Sequence, residues 1–453
     1  MLYQLGRESW ATRAGFILAA AGSAVGLGNI WRFPYMVGEH GGAAFLIIYL
    51  VAIVLIGYPV MINEIVLGRK THRNPVGAFK ALAPGSPWWL VGALGVLTGF
   101  VILSYYSVVA GWSLAYIYKV VISTAGDVDH AQVFMGHISS VWEPIIWQGI
   151  FMVLTVSIIS AGVVRGIQRW VTILMPVILI LLGILILRAV TLPGAGEGLA
   201  YYMQPNFEDI TSRTFLAAIA QAFFTLSLGM GAIITYGSYL RDKDEIPANS
   251  GYIVGLDTGV ALLAGLAIFP AVFALGFSPE EGPGLVFITL PGVFAEMPMG
   301  VVFGVLFFVL LSIAALTSAI SLLEVVTAWL IDEKGWTRKG AAVVMGLLIF
   351  VVGLPSTLGY SVWSGVSFPG LGTDILDTYD WFANSILLPL GGLLTAIFVG
   401  YIWGARAAVH EANKSKSRIA LGTWWVVLIR YVVPVLIVVI MIMGIYDSLA
   451  GNG

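Results

Sequence analysis

Long apolar runs, separated by short charged segments, dominate the chain. About 20 apolar residues cross the hydrocarbon core of a bilayer as a helix. The pattern predicts eleven such spans, at about 11–35, 41–68, 88–122, 145–163, 167–191, 214–240, 249–277, 301–331, 340–358, 381–405 and 431–449. A further apolar stretch, 283–298, is interrupted by Pro283, Pro291 and Pro298. Proline removes a backbone donor, so this stretch is expected to form a re-entrant or surface hairpin. The predicted fold class is an all-α polytopic membrane protein.

Composition agrees. Of 453 residues, 59% are hydrophobic and only 10% charged, against about 25% charged in soluble domains. There is no Cys, which excludes disulfides, thiol catalysis and Cys-based metal sites. The five His (His40, His72, His130, His137, His410) are scattered without metal-ligand spacing. A net charge of −2 gives no footprint for a nucleic-acid partner. The first ten residues are polar and include Arg7 and Glu8. They do not read as a cleavable signal peptide, so insertion is expected to rest on the spans.

Basic residues set the expected orientation. With the N-terminus cytoplasmic, most of the 22 Lys and Arg fall inside, including Arg7, Arg13, Arg69, Lys70, Arg73, Lys80, Arg165, Arg169, Arg241, Lys243, Lys334, Arg338, Lys339, Arg406, Lys414, Lys416, Arg418 and Arg430. The outer loops are acidic, with Asp127, Asp129, Glu197, Glu208, Asp209, Glu280, Glu281, Asp374 and Asp377. An odd number of spans then places the C-terminus outside, in a multi-pass protein of the cell (inner) membrane.

Two spans break helix rules in the same way. The first contains Gly22-Ser23-Ala24-Val25-Gly26-Leu27-Gly28-Asn29, the sixth Thr225-Leu226-Ser227-Leu228-Gly229-Met230-Gly231-Ala232. Five spans separate the starts of the two units, which inverts the second relative to the first. Paired Gly-interrupted spans in inverted halves point to a transporter's binding site. Unwound backbone is tolerated at membrane depth only where it is buried or lines a cavity. There its carbonyls coordinate cations, and Gly adopts the backbone angles needed. The competing reading is close helix packing, since Gly22 and Gly26 form a GxxxG pair. The domain organisation expected is a first repeat over 1–191, a second over 214–405 and an additional span within 419–449.

The residues around both breaks resemble those of the neurotransmitter:sodium symporter family. Trp10-Ala11-Thr12-Arg13 and Gly22 through Pro34 are similar to its first span. Gly41-Gly42-Ala43-Ala44-Phe45, Pro59, Glu64 and Gly68-Arg69 are similar to its second, Gln221 to Tyr236 to its sixth and Leu316-Thr317-Ser318 to its eighth. The resemblance covers about 1–445, within the bacterial amino-acid transporter branch. It implies a 5+5 core with broken helices 1 and 6. The activity implied is symport of hydrophobic and aromatic L-amino acids by alternating access.

The resemblance also implies two Na+ ions as co-substrates. The first would meet the Ala24 carbonyl, Asn29, Thr225, Asp257 and the substrate carboxylate. The second would meet the Gly22, Val25 and Ala314 carbonyls and the Thr317 and Ser318 hydroxyls. Oxygen ligands suit hard cations. Asp257 stands where many relatives have Asn, and Ala261 where chloride-dependent ones use Ser. A mid-span carboxylate is costly unless it works, and here it would make transport chloride-independent. A protonated Asp257 bonding between helices is the competing reading.

By the same resemblance, Gly26 leaves room for a substrate carboxylate and disfavours an amine lacking one. Ala24, Gly28 and Thr225 line that end. Tyr106 would bond the carboxylate, and the Phe224 and Ser227 carbonyls the ammonium. Ile102, Tyr106, Phe224, Met230, Ser318 and Leu322 would line an apolar side-chain pocket. Arg32 with Asp380 would close the outer gate. Arg7 with Asp332 would close the inner one, supported by Trp10, Tyr239 and Glu324. Pro176, ten residues after Gly166, is expected to loosen the fifth span, or merely to kink it. No GxxxxGK[ST] sequence supports nucleotide-driven transport. A different small zwitterion or osmolyte is the nearest alternative cargo, and a channel or receptor on the same fold the alternative class. An intramembrane enzyme would need a nucleophile–base pair, for which no mid-span His or Cys exists.

Overall fold

The apolar runs fold as helices that bury their small and aromatic faces against one another and leave aliphatic faces outward. A computed structural model describes residues 8–124, 128–208, 210–279, 284–367, 374–415 and 419–449. Arg7, Lys416, Arg418, Asp127, Asp209, Glu280, Glu281 and Pro283 lie outside them.

Among the described residues, nine helices are long and apolar enough to span: Ala43–Thr71, Trp89–Thr124, Trp142–Ser160, Val163–Val190, Pro247–Ala274, Gly300–Lys334, Arg338–Leu358, Ile375–Ala412 and Thr423–Tyr446. A tenth is the first span, Arg13–Ala24 with Gly28–Glu39, bent by 50° at the break. The sixth span is the eleventh position. Its two pieces, Ser212–Thr225 and Ala232–Gly237, are each too short to cross alone. The architecture is all-helical and matches the predicted class. The stretch expected as a hairpin contains a single short apolar helix, Leu285–Glu296.

The third and eighth spans share the most extensive interface and form a wall of the core. The first span crosses this wall and also touches the fifth and seventh. The last span is mostly outward-facing, with Val435, Ile442 and Tyr446 exposed. That is what a lipid-facing helix requires, because hydrocarbon solvates such side chains as well as protein does.

The two glycine-bearing breaks differ in mechanism. In the first, Val25 is extended (φ −68°, ψ 108°) and the helix resumes at Gly28 without any left-handed residue. In the second, Ser227 (φ 55°), Gly229 (φ 77°) and Gly231 (φ 76°) are all left-handed. Gly is therefore required for its backbone freedom only in the second break. In the first it is required for space. A Cβ on Gly22 would lie 2.6 Å from Val171 Cγ1 of the fifth span. The packing reading of the GxxxG pair therefore holds for Gly22. Gly26 faces elsewhere, toward the site.

Candidate substrate and cation site

The unwound stretches free backbone groups that a continuous helix would have used, and polar side chains from four other elements converge on them. Glu64 of the second span, fully buried, accepts the Gly229 N–H at 2.7 Å. Gln221 donates to the Gly28 carbonyl at 2.8 Å. Each bond satisfies a group that would otherwise be costly to bury. Both residues were legible only as parts of a motif, because neither has a partner near it in sequence.

One cluster sits between the first, sixth and seventh spans. The Asn29 amide donates to Asp257 Oδ1 at 2.8 Å and to the Asp257 carbonyl at 3.0 Å. Thr225 Oγ1 lies 3.1 Å from both Asp257 carboxylate oxygens, and Asn29 Oδ1 accepts the Gly26 N–H at 2.9 Å. Asn29, Thr225 and Asp257 therefore meet as expected. All three are buried, as is Ala24.

A second cluster joins the first span to the eighth. Thr317 Oγ1 donates to the Val25 carbonyl at 3.1 Å and to the Ala314 carbonyl at 2.9 Å. Ser318 Oγ lies 2.9 Å from the Ser23 carbonyl and 3.2 Å from that of Val25. Ser227 Oγ donates to the Ser23 carbonyl at 3.0 Å. The gathered carbonyls are thus those of Ser23, Val25 and Ala314, and the expected set had not included Ser23. Every oxygen gathered here is neutral, a set suited to a hard monovalent cation. Among the described residues no group of three or more His, Asp or Glu forms a metal site.

Gly26 lies between these clusters. A Cβ there would sit 2.2 Å from Ser318 Oγ and 2.7 Å from Tyr106 Oη, and Tyr106 Oη accepts the Leu27 N–H at 3.1 Å. The Phe224 ring covers Gly28, with its Cδ1 3.0 Å from where a Cβ would be. The Phe224 carbonyl accepts the Ser227 N–H at 3.2 Å. Gly99 of the third span packs against Met230 and Leu322, whose carbonyls lie 3.4 and 3.8 Å from its Cβ position. Ile102, Met230 and Leu322 are all buried.

A polar network flanks the site on either side. On one side the Arg32 guanidinium lies 4.8 Å from the Phe224 ring centroid and donates to Asn384 Oδ1 at 2.8 Å. Asn384 in turn donates to Asp380 Oδ1 at 2.9 Å. Arg32 and Asp380 therefore connect through Asn384 rather than by a direct ion pair. On the other side, Trp10 is buried and donates from Nε1 to the Tyr236 carbonyl at 3.0 Å. Tyr239 donates to Glu324, and Arg338 pairs with the same carboxylate at 2.7 Å. Arg338, read from the sequence only as a cytoplasmic charge, is thus part of this network. Asp332 accepts the Asn74 backbone N–H at 2.9 Å and its amide at 3.2 Å. Its expected partner Arg7 is outside the described residues.

Comparison with known proteins follows this geometry. The sodium:neurotransmitter symporter family profile matches residues 7–127 and 136–450. An uncharacterized sodium-dependent transporter of Bacillus subtilis, YhdH, is 41% identical over 95% of this chain and 96% of its own length. A sodium-dependent dopamine transporter of Caenorhabditis elegans is 26% identical over 92% of this chain and 77% of its own. The crystal structure of MhsT in complex with L-phenylalanine superposes with a TM-score of 0.90 at 45% identity, covering 98% of this chain and all of MhsT. Members of this family are transporters, not enzymes. Two oxygen-lined breaks, two flanking networks and a match along nearly the whole chain agree: the protein is a sodium-dependent transporter belonging to the sodium:neurotransmitter symporter family.

Proposed function

We propose that this protein imports hydrophobic and aromatic L-amino acids together with two sodium ions, by alternating access and without chloride. The observation that carries the reading is the confinement of Gly26 by Ser318 and Tyr106. No acidic side chain fits at that position, so at this end of the site the negative charge is left to the cargo's own carboxylate, alongside Asp257 on the other side of Asn29. Tyr106 Oη and the unwound backbone of the first span lie beside it.

The apolar lining of Ile102, Phe224, Met230 and Leu322 offers no partner to a polar side chain, so polar cargo would lose its hydration without compensation. Met230 is flexible and suits irregular shapes, in keeping with phenylalanine in the related MhsT structure. Asp257, bonded to Asn29 and Thr225, supplies the fixed negative charge that makes chloride dispensable. Each sodium ion moved inward gains about 2.3 kcal/mol per 100 mV. In this reading the first repeat spans 1–191 and the second 214–405. The N-terminus is cytoplasmic and the C-terminus extracytoplasmic.

The test is uptake into proteoliposomes under an imposed sodium gradient, with all twenty amino acids as competitors and gluconate in place of chloride. Phenylalanine, tryptophan, tyrosine and leucine are expected to compete, and uptake to persist in gluconate. Failure of every apolar competitor would overturn the cargo assignment. Loss of uptake in gluconate would overturn the role given to Asp257.

A further inference from the structure

The fifth span begins without a cap of its own. The first N–H groups of a helix have no partner inside it, and Ser, Thr, Asp or Asn just before the first turn normally supplies one. Here that place is held by Gly162, left-handed at φ 102°, which has no side chain to offer. The carboxylate of Glu8, 155 residues earlier, takes over. Its Oε2 accepts the Val163 N–H at 2.5 Å. A Cβ on Gly162 would lie 2.9 Å from Glu8 Oε1, so the glycine also makes room for the distant cap.

A second bond fastens the same two elements. The Ala11 N–H donates to Gln168 Oε1 at 3.0 Å, and the Gln168 side chain packs where a Cβ on Gly15 would stand, at 2.5 Å. The turn held between these points, Val163–Gln168, is wound as a wide π turn. Its start is bifurcated, with both the Gly166 and Ile167 N–H groups bonded to the Gly162 carbonyl at 3.1 Å. Such turns are rare and recur at functional sites. On its other side Glu8 lies 3.9 Å from Arg338, which pairs with Glu324 and so joins the Tyr239 and Trp10 network.

We propose that Glu8 is a positioning residue that couples the network around Trp10 to the start of the fifth span, by acting as that helix's missing cap. When the segment before the first span swings away, the cap leaves with it and the Val163–Gln168 turn loses its only external acceptor for Val163. Opening on this side and loosening of the fifth span then become one event. The coupling builds on the alternating-access reading above, but its physical core is a single hydrogen bond that is measurable apart from transport.

The experiment is hydrogen–deuterium exchange on the purified full-length protein in sodium, comparing wild type, Glu8→Ala, Glu8→Gln and Gln168→Ala. Loss of a cap corresponds to roughly a 2- to 30-fold change. Glu8→Ala is expected to speed exchange at residues 163–168 about 5-fold or more, with residues 89–124 of the third span unchanged. Glu8→Gln keeps a carbonyl acceptor without the charge and is expected to stay close to wild type. Gln168→Ala should shift the same residues in the same direction, by less. Unchanged exchange at 163–168 in Glu8→Ala would overturn the proposal. So would a Glu8→Gln variant as fast as Glu8→Ala, because pairing with Arg338 would then be the operative contact. A uniform rise across all spans would also overturn it, as plain destabilisation. If exchange responds as expected while no amino acid is transported, the cap stands and the cargo assignment fails.

Discussion

The third span and the break in the first span both meet buried hydroxyls, and the two regions use them in opposite ways. Along Trp89–Thr124, Thr98 donates to the Leu94 carbonyl, Ser104 to Val101 and Ser113 to Ala110, each at 2.7 Å and each within its own helix. At the first break the hydroxyls arrive from elsewhere: Ser227 from the sixth span, Thr317 and Ser318 from the eighth. The hydroxyl chemistry is the same in both regions. In a continuous helix the carbonyls are already bonded to N–H groups and the hydroxyl only adds a local second bond. Unwinding frees the carbonyls, and hydroxyls that meet freed carbonyls across elements make a shell that a cation can enter.

The strongest way to break this contrast is Gly26→Ala. The added methyl must displace Ser318 Oγ or Tyr106 Oη, and overpacking of this kind costs about 1–3 kcal/mol. Sodium-driven uptake is expected to fall by 100-fold or more, while the melting temperature moves by only a few degrees. Uptake near the wild-type rate would show that cargo does not approach Gly26.

Next comes Asp257→Asn, which keeps the shape and removes the charge. Bonds to charged groups contribute about 1.5–3 kcal/mol, so the sodium concentration for half-maximal binding should rise tenfold or more, as read by equilibrium dialysis with a sodium isotope. An unchanged sodium requirement would favour the protonated, purely structural Asp257.

Thr317→Ala removes one neutral oxygen from the second cluster. Its effect should be smaller, roughly 3- to 10-fold in half-saturating sodium for a loss of about 1 kcal/mol, with amino-acid selectivity unchanged. Ser104→Ala on the wall is the counterpart. It should leave the sodium requirement within twofold and stability within about 1 kcal/mol by thermal unfolding. A Ser104 variant as damaging to sodium binding as Thr317→Ala would erase the distinction between the two regions.

Much of this was legible before any fold was known. Span positions follow from hydropathy, because bilayer thickness fixes helix length, and most ends fell within a few residues. Ends failed where a break or loop helix adjoins a span: the fifth begins at Val163 rather than 167, the tenth extends over Ile375–Ala412, and the eleventh begins at Thr423 rather than 431. Most members of both clusters were named from the resemblance of their motifs to the family's. Asn384 between Arg32 and Asp380, Glu64 on Gly229, the Ser23 carbonyl and Glu8 on Val163 were not, because each contact joins residues distant in sequence and no periodicity links them.

The sequence by itself determined that this chain spans a membrane, where its helices are broken, and which oxygen-bearing residues lie beside the breaks. Those are local properties, set by transfer free energy and backbone preference. Only the tertiary structure decided that Gly22 packs while Gly26 faces the site, and that left-handed backbone belongs to the second break alone. It also decided that Arg32 and Asp380 meet through an amide and that a carboxylate from the first segment bonds the start of the fifth span. These depend on which surfaces meet, and burial makes each meeting costly unless every polar group finds a partner.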